Sequence, residues 1–489
     1  MNPNLFTPSG DDLVKEEDFK SRYFKDGKIR VADIAKDVID TMHLVTMIDN
    51  EDILYYENGI YHQDGDKKVK ELLIRKMGLY LSTHNVKEIL AQIQARTYIH
   101  RDKMNGEKNL IHLINGIYNI ETDEFLDFTP DIYSTNKLPI LYDKNATCPT
   151  IDKFLDDVLP KGNKVVILEL FGYCLYRNYQ FQTAFMFVGG GSNGKSTLLN
   201  LFIKFVGMEN ISNKSLQTIN EDRFASSDLY GKMTNLFADL PNKGLKFTGI
   251  FKLLTGGDPV DAQRKFKPPF KFINYAKLIF SCNELPYTTD QSDAFFRRWI
   301  ILDFPNKFEG QKDDKKMIDK ISTPAELSGL FNLASINLKN LLRANQFSFS
   351  ESTKSTKEKY MRLSNSIMSF AMDCLEPEQK SWITKEDLYN AYCKYCREYD
   401  LSTQDKSMIG RTLPNIMTIN EEKKGAKGDR KMSWVGVKFK KVADTVDEDK
   451  NTPPSLKEGG LDDFILSDDI EPEDIESDEQ DDYVRRFVK

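Results

Sequence analysis

No apolar run in this 489-residue sequence reaches the ~18 residues that a membrane-crossing helix needs. The first residues, MNPNLFTPSGDDLVKEEDF, lack the basic start and apolar core of a secretory signal. Cysteine is scarce and scattered, at Cys148, Cys174, Cys282, Cys374, Cys393 and Cys396. That speaks against a disulfide framework and for free thiols in a reducing compartment. Cys393 and Cys396 form a lone CxxC, no second pair follows, and all five histidines precede residue 113. A zinc site is therefore not expected, and the two cysteines are read as helix residues. These absences point to a cytoplasmic globular protein with no membrane partner.

Charge is present in both signs but unevenly distributed. The net charge is −7. Residues 442–489 hold 17 acidic and five basic side chains, leaving 63 basic and 58 acidic before them. A mildly basic folded part with an acidic tail is a weak pointer to nucleic acid.

The patterning predicts six segments. Residues 1–28 read as a flexible N-terminus. Residues 29–150 mix helical periods (VADIAKDVIDTMHLV, KVKELLIRKMGLYL, VKEILAQIQART) with short strands turned at Asn58-Gly59 and Asn115-Gly116, giving an α+β domain. Residues 151–305 alternate apolar strands and helices, the signature of an α/β sheet. Residues 306–378 read as a helical lid or linker, 379–441 as a small separate domain, and 442–489 as a disordered acidic tail. Asp64 and Asp66 form a DxD pair read as a solvated loop.

The most specific stretch is FMFVGGGSNGKSTLLNLF, from Phe185 to Phe202. Gly189, Gly190, Gly191, Ser192, Asn193, Gly194, Lys195 and Ser196 fit GxxxxGK[ST], with Thr197 following, between a buried strand and a helix. Glycines let backbone N–H groups turn inward around phosphate oxygens, and the helix start adds its positive end. Lys195 is placed to reach the β- and γ-phosphates of ATP, and Ser196 to ligate Mg²⁺. Downstream, the strand MTNLFA ends in Asp239, which can hold Mg²⁺ or orient water; the alternative is a turn-forming Asp. The strand in YAKLIFSCNELP ends in Asn283, a candidate γ-phosphate sensor or, alternatively, a turn residue. Between them, Arg264, Lys265 and Lys267, with Phe266, crowd the tip of an expected hairpin. A basic tip with an aromatic can grip a nucleic-acid backbone, whereas a solvated charged loop is the bland alternative. In SDAFFRRWIILDFP, Arg297 or Arg298 can supply an arginine finger to a neighbouring subunit, or simply form a surface ion pair.

The order GGGSNGKST, FADLP, TGGDPVDAQRKFKPPF, FSCNELP and FFRRWIILDFP resembles superfamily 3 helicases, above all the phage, plasmid and large-DNA-virus primase–helicase group. The resemblance extends over residues 30–441 and is most specific in the centre. It implies an α/β P-loop motor core of AAA+-like type, preceded by an α+β domain and followed by a small winged-helix-like domain. It also implies a homo-oligomeric, hexameric ring ATPase moving on single-stranded DNA and unwinding forked DNA. Lys195, Ser196 and Asp239 would serve nucleotide and Mg²⁺, Asn283 would be the sensor, and Lys265 or Lys267 would track DNA. One of Arg297 and Arg298 would be the finger. Two departures stand out. Ala238 precedes Asp239 where many such motors carry a second acid, and no polymerising primase domain is expected in this chain. A separate primase, a polymerase or a single-strand-binding protein is an expected partner, through the acidic tail.

In the C-terminal region, Thr384 reads as the N-cap of an amphipathic helix, with Asp387 three residues on. KSMIGRTLPNIM, containing Arg411, reads as a second helix. INEEKKGAKGDRKMSWVGVKF reads as a hairpin with Lys424, Lys427, Arg430 and Lys431 at or near its tip. Two helices and a basic hairpin suit a DNA-binding winged helix, or one that docks protein. The competing functional readings are a DNA-melting ring ATPase without processive unwinding, and an ATP-regulated DNA-binding replication initiator.

Overall fold

The computed structural model describes residues 16–440 apart from 242, 266, 309, 311–313, 400 and 427–429. Phe266, Lys427 and the acidic tail lie outside the described residues. The chain divides into two compact units, with the boundary between Ser364 and Asn365.

The first unit opens on an α+β region. The segment 16–28 was expected to be loose; instead it forms the helix Glu16–Tyr23 and a small hairpin, Phe24–Lys25 with Lys28–Ile29. Phe19 and Tyr23, one helical turn apart, bury against Ile34, Val38 and their neighbours, and the Tyr23 hydroxyl donates to Asp37 Oδ2 at 2.6 Å. Strands Ile60–His62, Ile53–Glu57, Val45–Met47 and Tyr98–Ile99 form one sheet in that order. Asn58-Gly59 turns the first two strands, and Asn115-Gly116 turns Leu110–Leu113 into Gly116–Asn119. Asp64 and Asp66 are not in a loop. They stand at the start of helix Gly65–Met77, where the positive helix end favours acids, and pair with Lys67 and Lys70 at 3.0 Å each.

The second part of this unit is α/β. Its strands and helices are β1 (Ala184–Val188), α1 (Lys195–Val206), β2 (Ile211–Ser212), β3 (Thr234–Phe237), α2 (Gly249–Gly256), β4 (Pro259–Ala262), β5 (Phe270–Ile273), β6 (Lys277–Cys282), α3 (Asp293–Phe296) and β7 (Trp299–Asp303). Five strands form a parallel sheet in the order β2-β3-β6-β1-β7. Both faces are covered, which is why β1 reads as an unbroken apolar run and every residue of β1 and β6 is buried. β4 and β5 form a separate antiparallel hairpin, Pro259 opposite Ile273 and Ala262 opposite Phe270.

Helix Asn163–Leu175 is buried on nearly every face. It packs against helix Pro324–Ala344 at Gly172, where an added Cβ would stand 2.4 Å from the Ala334 carbonyl oxygen. Pro324–Ala344, expected within a lid or linker, is thus a core helix. Its Leu330, Phe331, Ala334, Leu338 and Leu341 join the same apolar cluster as the sheet.

The second unit contains α4 (Ser366–Cys374), β8 (Leu375–Thr384), α5 (Lys385–Glu398), α6 (Lys406–Ile416), β9 (Asn420–Lys424) and β10 (Lys431–Phe439). It begins earlier than the expected residue 379, because Ile367, Phe370 and Ala371 of α4 complete its core around Tyr392, Leu413 and Trp434. The three strands form an antiparallel sheet in the order β8-β10-β9. Thr384 caps α5, accepting from the Asp387 N–H at 3.0 Å. Cys393 and Cys396 are both residues of this helix, and Cys396 is buried. Among the described residues no helix is long and apolar enough to cross a membrane.

Candidate functional site

Parallel strands deliver their following loops to one edge of a sheet, and the centre of that edge is where ligands bind in open α/β folds. β1, β6 and β3 are consecutive neighbours here. Register places Val188 opposite Cys282, and Phe237 opposite Phe280. The loop after β1, Asn283 after β6 and Asp239 after β3 therefore reach the same edge. They line one cavity of about 470 Å³, which takes in Gly190–Thr197, Ala238, Asp239, Ser281 and Asn283. Phe154, Asp157, Val158, Phe308, Asp314 and Met317 line it as well.

The loop is held from below. Asn193 is buried; its side chain donates to the Phe304 carbonyl at 3.1 Å and accepts from the Lys195 N–H at 3.3 Å. Ser192 accepts from the Phe308 N–H at 2.7 Å through its carbonyl. Gly194 precedes α1 at φ +86°, and an added Cβ there would meet Val158 Cγ1 at 2.5 Å, so glycine is required twice over. Gly190 and Gly191 face open space.

Lys195, at the first position of α1, is 7% exposed. Its ammonium donates to the carbonyl oxygens of Gly189 and Gly190, the latter at 2.8 Å, and to Asn193 Oδ1 at 3.3 Å. Burial pulls it below the usual lysine range, while Cys282 and Asp239 act the other way. A cation gripped only by neutral carbonyls, at a helix start whose first N–H groups lack intrahelical partners, favours an anion. Ser196 and Asp239 are exposed to the same cavity and could share a divalent cation with that anion. No group of three or more His, Cys, Asp or Glu side chains able to hold a metal alone occurs among the described residues.

The adjacent arginines differ. Arg298 is buried; its Nε donates to Thr255 Oγ1 at 2.9 Å, and its other nitrogens to the carbonyls of Ala294 and, at 3.5 Å, Lys252. It is a structural side chain, so the expectation that it could reach a neighbouring subunit is corrected. Arg297 is exposed. Neither lines the nucleotide-sized cavity.

At the hairpin, Arg264 and Lys267 converge on Asp52 of the α+β region, at 3.7 and 2.7 Å. Lys265 lies over the Phe224 ring at 5.9 Å. In the second unit, Arg411 lies on α6, Lys424 ends β9 beside Glu422, and Arg430 immediately precedes Lys431, the first residue of β10. Asp157, Asp314 and Phe308 escaped sequence reading because none has a local signature: Asp157 lies on the helix Pro149–Val158, and Phe308 and Asp314 lie in the connection after β7.

A family described as "D5 N terminal like" matches residues 9–160, and a family of unknown function, DUF5906, matches residues 187–298. The chain is 27% identical over 227 residues to a protein of Acanthamoeba polyphaga mimivirus named "Putative helicase L207/L206", covering 44% of this chain and 24% of that protein. It is also 27% identical over 244 residues to "Putative helicase 184R" of Invertebrate iridescent virus 6, again covering 44% and 24%. The matched part thus spans about a quarter of the length of these relatives. Among solved structures, the apo A form of the NrS-1 C terminal region aligns with a TM-score of 0.45 at 11% identity, over 80% of this chain and 95% of that one.

Proposed function

We propose that this chain belongs to the superfamily 3-like primase–helicase group and is an ATP-driven replicative DNA helicase that acts on single-stranded and forked DNA as a homo-oligomeric ring, hexameric by family expectation. The observation carrying this reading is the single cavity that gathers Gly190–Thr197, Asp239 and Asn283 at the ends of three adjacent parallel strands.

In this reading Lys195 and the N–H groups of the loop bind the phosphate oxygens of ATP, and Ser196 with Asp239 holds Mg²⁺. ATP with Mg²⁺ supplies the phosphoanhydride whose hydrolysis drives movement. Asn283 orients water at the terminal phosphate. Ala238 leaves Asp239 without an acidic neighbour in sequence, and among the described residues Asp157 and Asp314 are the other carboxylates lining the cavity. Exposed Arg297 is the side chain offered to a neighbouring subunit. The β4–β5 hairpin grips the strand through Arg264, Lys265 and Lys267. The second unit, with its helices, three-stranded sheet and basic strand ends, acts as a winged helix on duplex DNA. The acidic tail recruits a primase, polymerase or single-strand-binding protein.

The test is ATP hydrolysis with and without single-stranded DNA, with strand displacement on a forked duplex, for the wild type and Lys195→Ala. Hydrolysis in Lys195→Ala is expected to fall by about 10²–10³, and unwinding to vanish. Hydrolysis without strand displacement would favour a melting ATPase or an ATP-switched initiator.

A further inference from the structure

The hairpin and the cavity lie at opposite ends of β6. β5 leads through Asn274–Ala276 into β6, and Asn283 follows the last residue of β6, Cys282. Six strand residues separate them by about 20 Å. Grip on a strand at one end can answer the nucleotide at the other only through elements fixed to both.

α2 is such an element. It follows the loop after Asp239 and leads directly into β4 of the hairpin. The loops leaving Asp239 and Asn283 run side by side, bridged at Leu245 and Thr288, with the Leu245 N–H donating to the Tyr287 carbonyl at 2.7 Å. Just beyond, the Asp290 carboxylate gathers four donors. Ser292 contributes its N–H at 2.9 Å and its hydroxyl at 2.6 Å. Lys252 Nζ of α2 donates at 2.8 Å, and Thr248, the N-cap residue of α2, donates its hydroxyl. Burial alone would raise this carboxyl; Lys252, Ser292 and Thr248 hold it well below the usual carboxylate range. Further along α2, Phe251 stacks on Trp299 at 4.8 Å and 12°, and Thr255 accepts from Arg298. α2 is thereby fastened along its length to residues 290–299, the stretch that carries exposed Arg297.

We propose that Asp290 is a positioning residue: by clamping α2 to the segment running from Asn283 to Arg297, it makes the hairpin's grip on a nucleic-acid strand and the state of the nucleotide cavity depend on each other. This rests on the reading of the cavity as a nucleotide site and of the hairpin as a strand grip. Ser292 closes the local turn on Asp290 Oδ1, and Oδ2 is left to the helix. The carboxylate is needed because it is what Lys252 and Thr248 of the helix hold.

The experiment uses the full chain. ATP hydrolysis is measured with and without a single-stranded oligonucleotide, and oligonucleotide affinity by fluorescence anisotropy without nucleotide. Asp290→Ala is expected to keep the basal rate, the KM for ATP and the strand affinity, yet to lose about fivefold or more of the stimulation by the strand. Asp290→Glu, which keeps the charge and acceptor, restores it. Lys252→Met breaks the same pair from the helix side, leaves the 290–292 turn intact, and is expected to match Asp290→Ala; it decides the matter if Asp290→Ala does not fold. Wild-type stimulation in Lys252→Met overturns the proposal, as does a parallel loss of basal hydrolysis and strand binding in it. A wild-type chain that no strand stimulates overturns the proposed function, and the coupling with it. That failure is read in the wild type and not in the variants.

Discussion

Arg297 and Arg298 are adjacent in sequence and opposite in environment: Arg298 is 6% exposed and bound to Thr255, while Arg297 faces solvent. The pair forms the turn between α3 and β7, and that turn sends the Arg298 side chain inward and the Arg297 side chain outward. Arg298→Ala is expected to lower the unfolding free energy by about 1–3 kcal/mol, because buried acceptors lose their donor. Arg297→Ala is expected to leave stability within about 0.5 kcal/mol of wild type and to depress ATP hydrolysis only in the assembled form. Urea unfolding and concentration-dependent ATPase rates check the two expectations. Equal stability of both variants would contradict the structural role given to Arg298.

His112 gives a pH dependence with a definite sign. Among the described residues both ring nitrogens lack hydrogen-bond partners, and burial, then Arg177 and Lys137, push its pKa down to about 3. In the unfolded chain the ring binds its proton near the ordinary histidine value, so between that value and about 3 the unfolded state holds the extra proton. Stability is therefore full above pH ~6.5 and falls with acidification by about 1.4 kcal/mol per pH unit. His112→Leu removes this contribution. The loss of unfolding free energy between pH 7 and pH 5, measured with urea, is expected to shrink by roughly 2 kcal/mol in the variant.

Asp52 holds Lys267 at 2.7 Å and Arg264 at 3.7 Å. A nucleic-acid phosphate must compete with it for the same cations. Asp52→Asn is expected to raise single-strand affinity by about two- to fivefold, the size of a partly exposed ion pair, whereas Lys267→Ala lowers it. Anisotropy at several salt concentrations distinguishes this from a change in fold. Unchanged affinity in both variants would remove the hairpin from the binding surface.

Lys431 opens β10 and Arg430 immediately precedes it. Replacing both with alanine is expected to weaken duplex binding and to reduce the salt slope by about one for each phosphate that is no longer neutralised. ATP hydrolysis without DNA should not change. An unaltered duplex affinity would favour the protein-docking reading of this unit.

The sequence by itself determined the elements whose chemistry is local. The strand-loop-helix around Gly194, the turns at Asn58-Gly59 and Asn115-Gly116, the Thr384 cap and the β4–β5 hairpin each depend on residues within a few positions of one another. What required the tertiary structure was set by partners far along the chain. The helix Glu16–Tyr23 looked polar, and only the pocket formed with Ile34 and Val38 shows why Phe19 and Tyr23 fix it. The helix Pro324–Ala344 is core because Gly172 lets it approach closely. Strand order alone made neighbours of Asp239 and Asn283, and burial alone separated the roles of Arg297 and Arg298. Spacing in a sequence records which residues can share a turn; it carries no record of which strand lies beside which, or of which side of two adjacent residues faces the core.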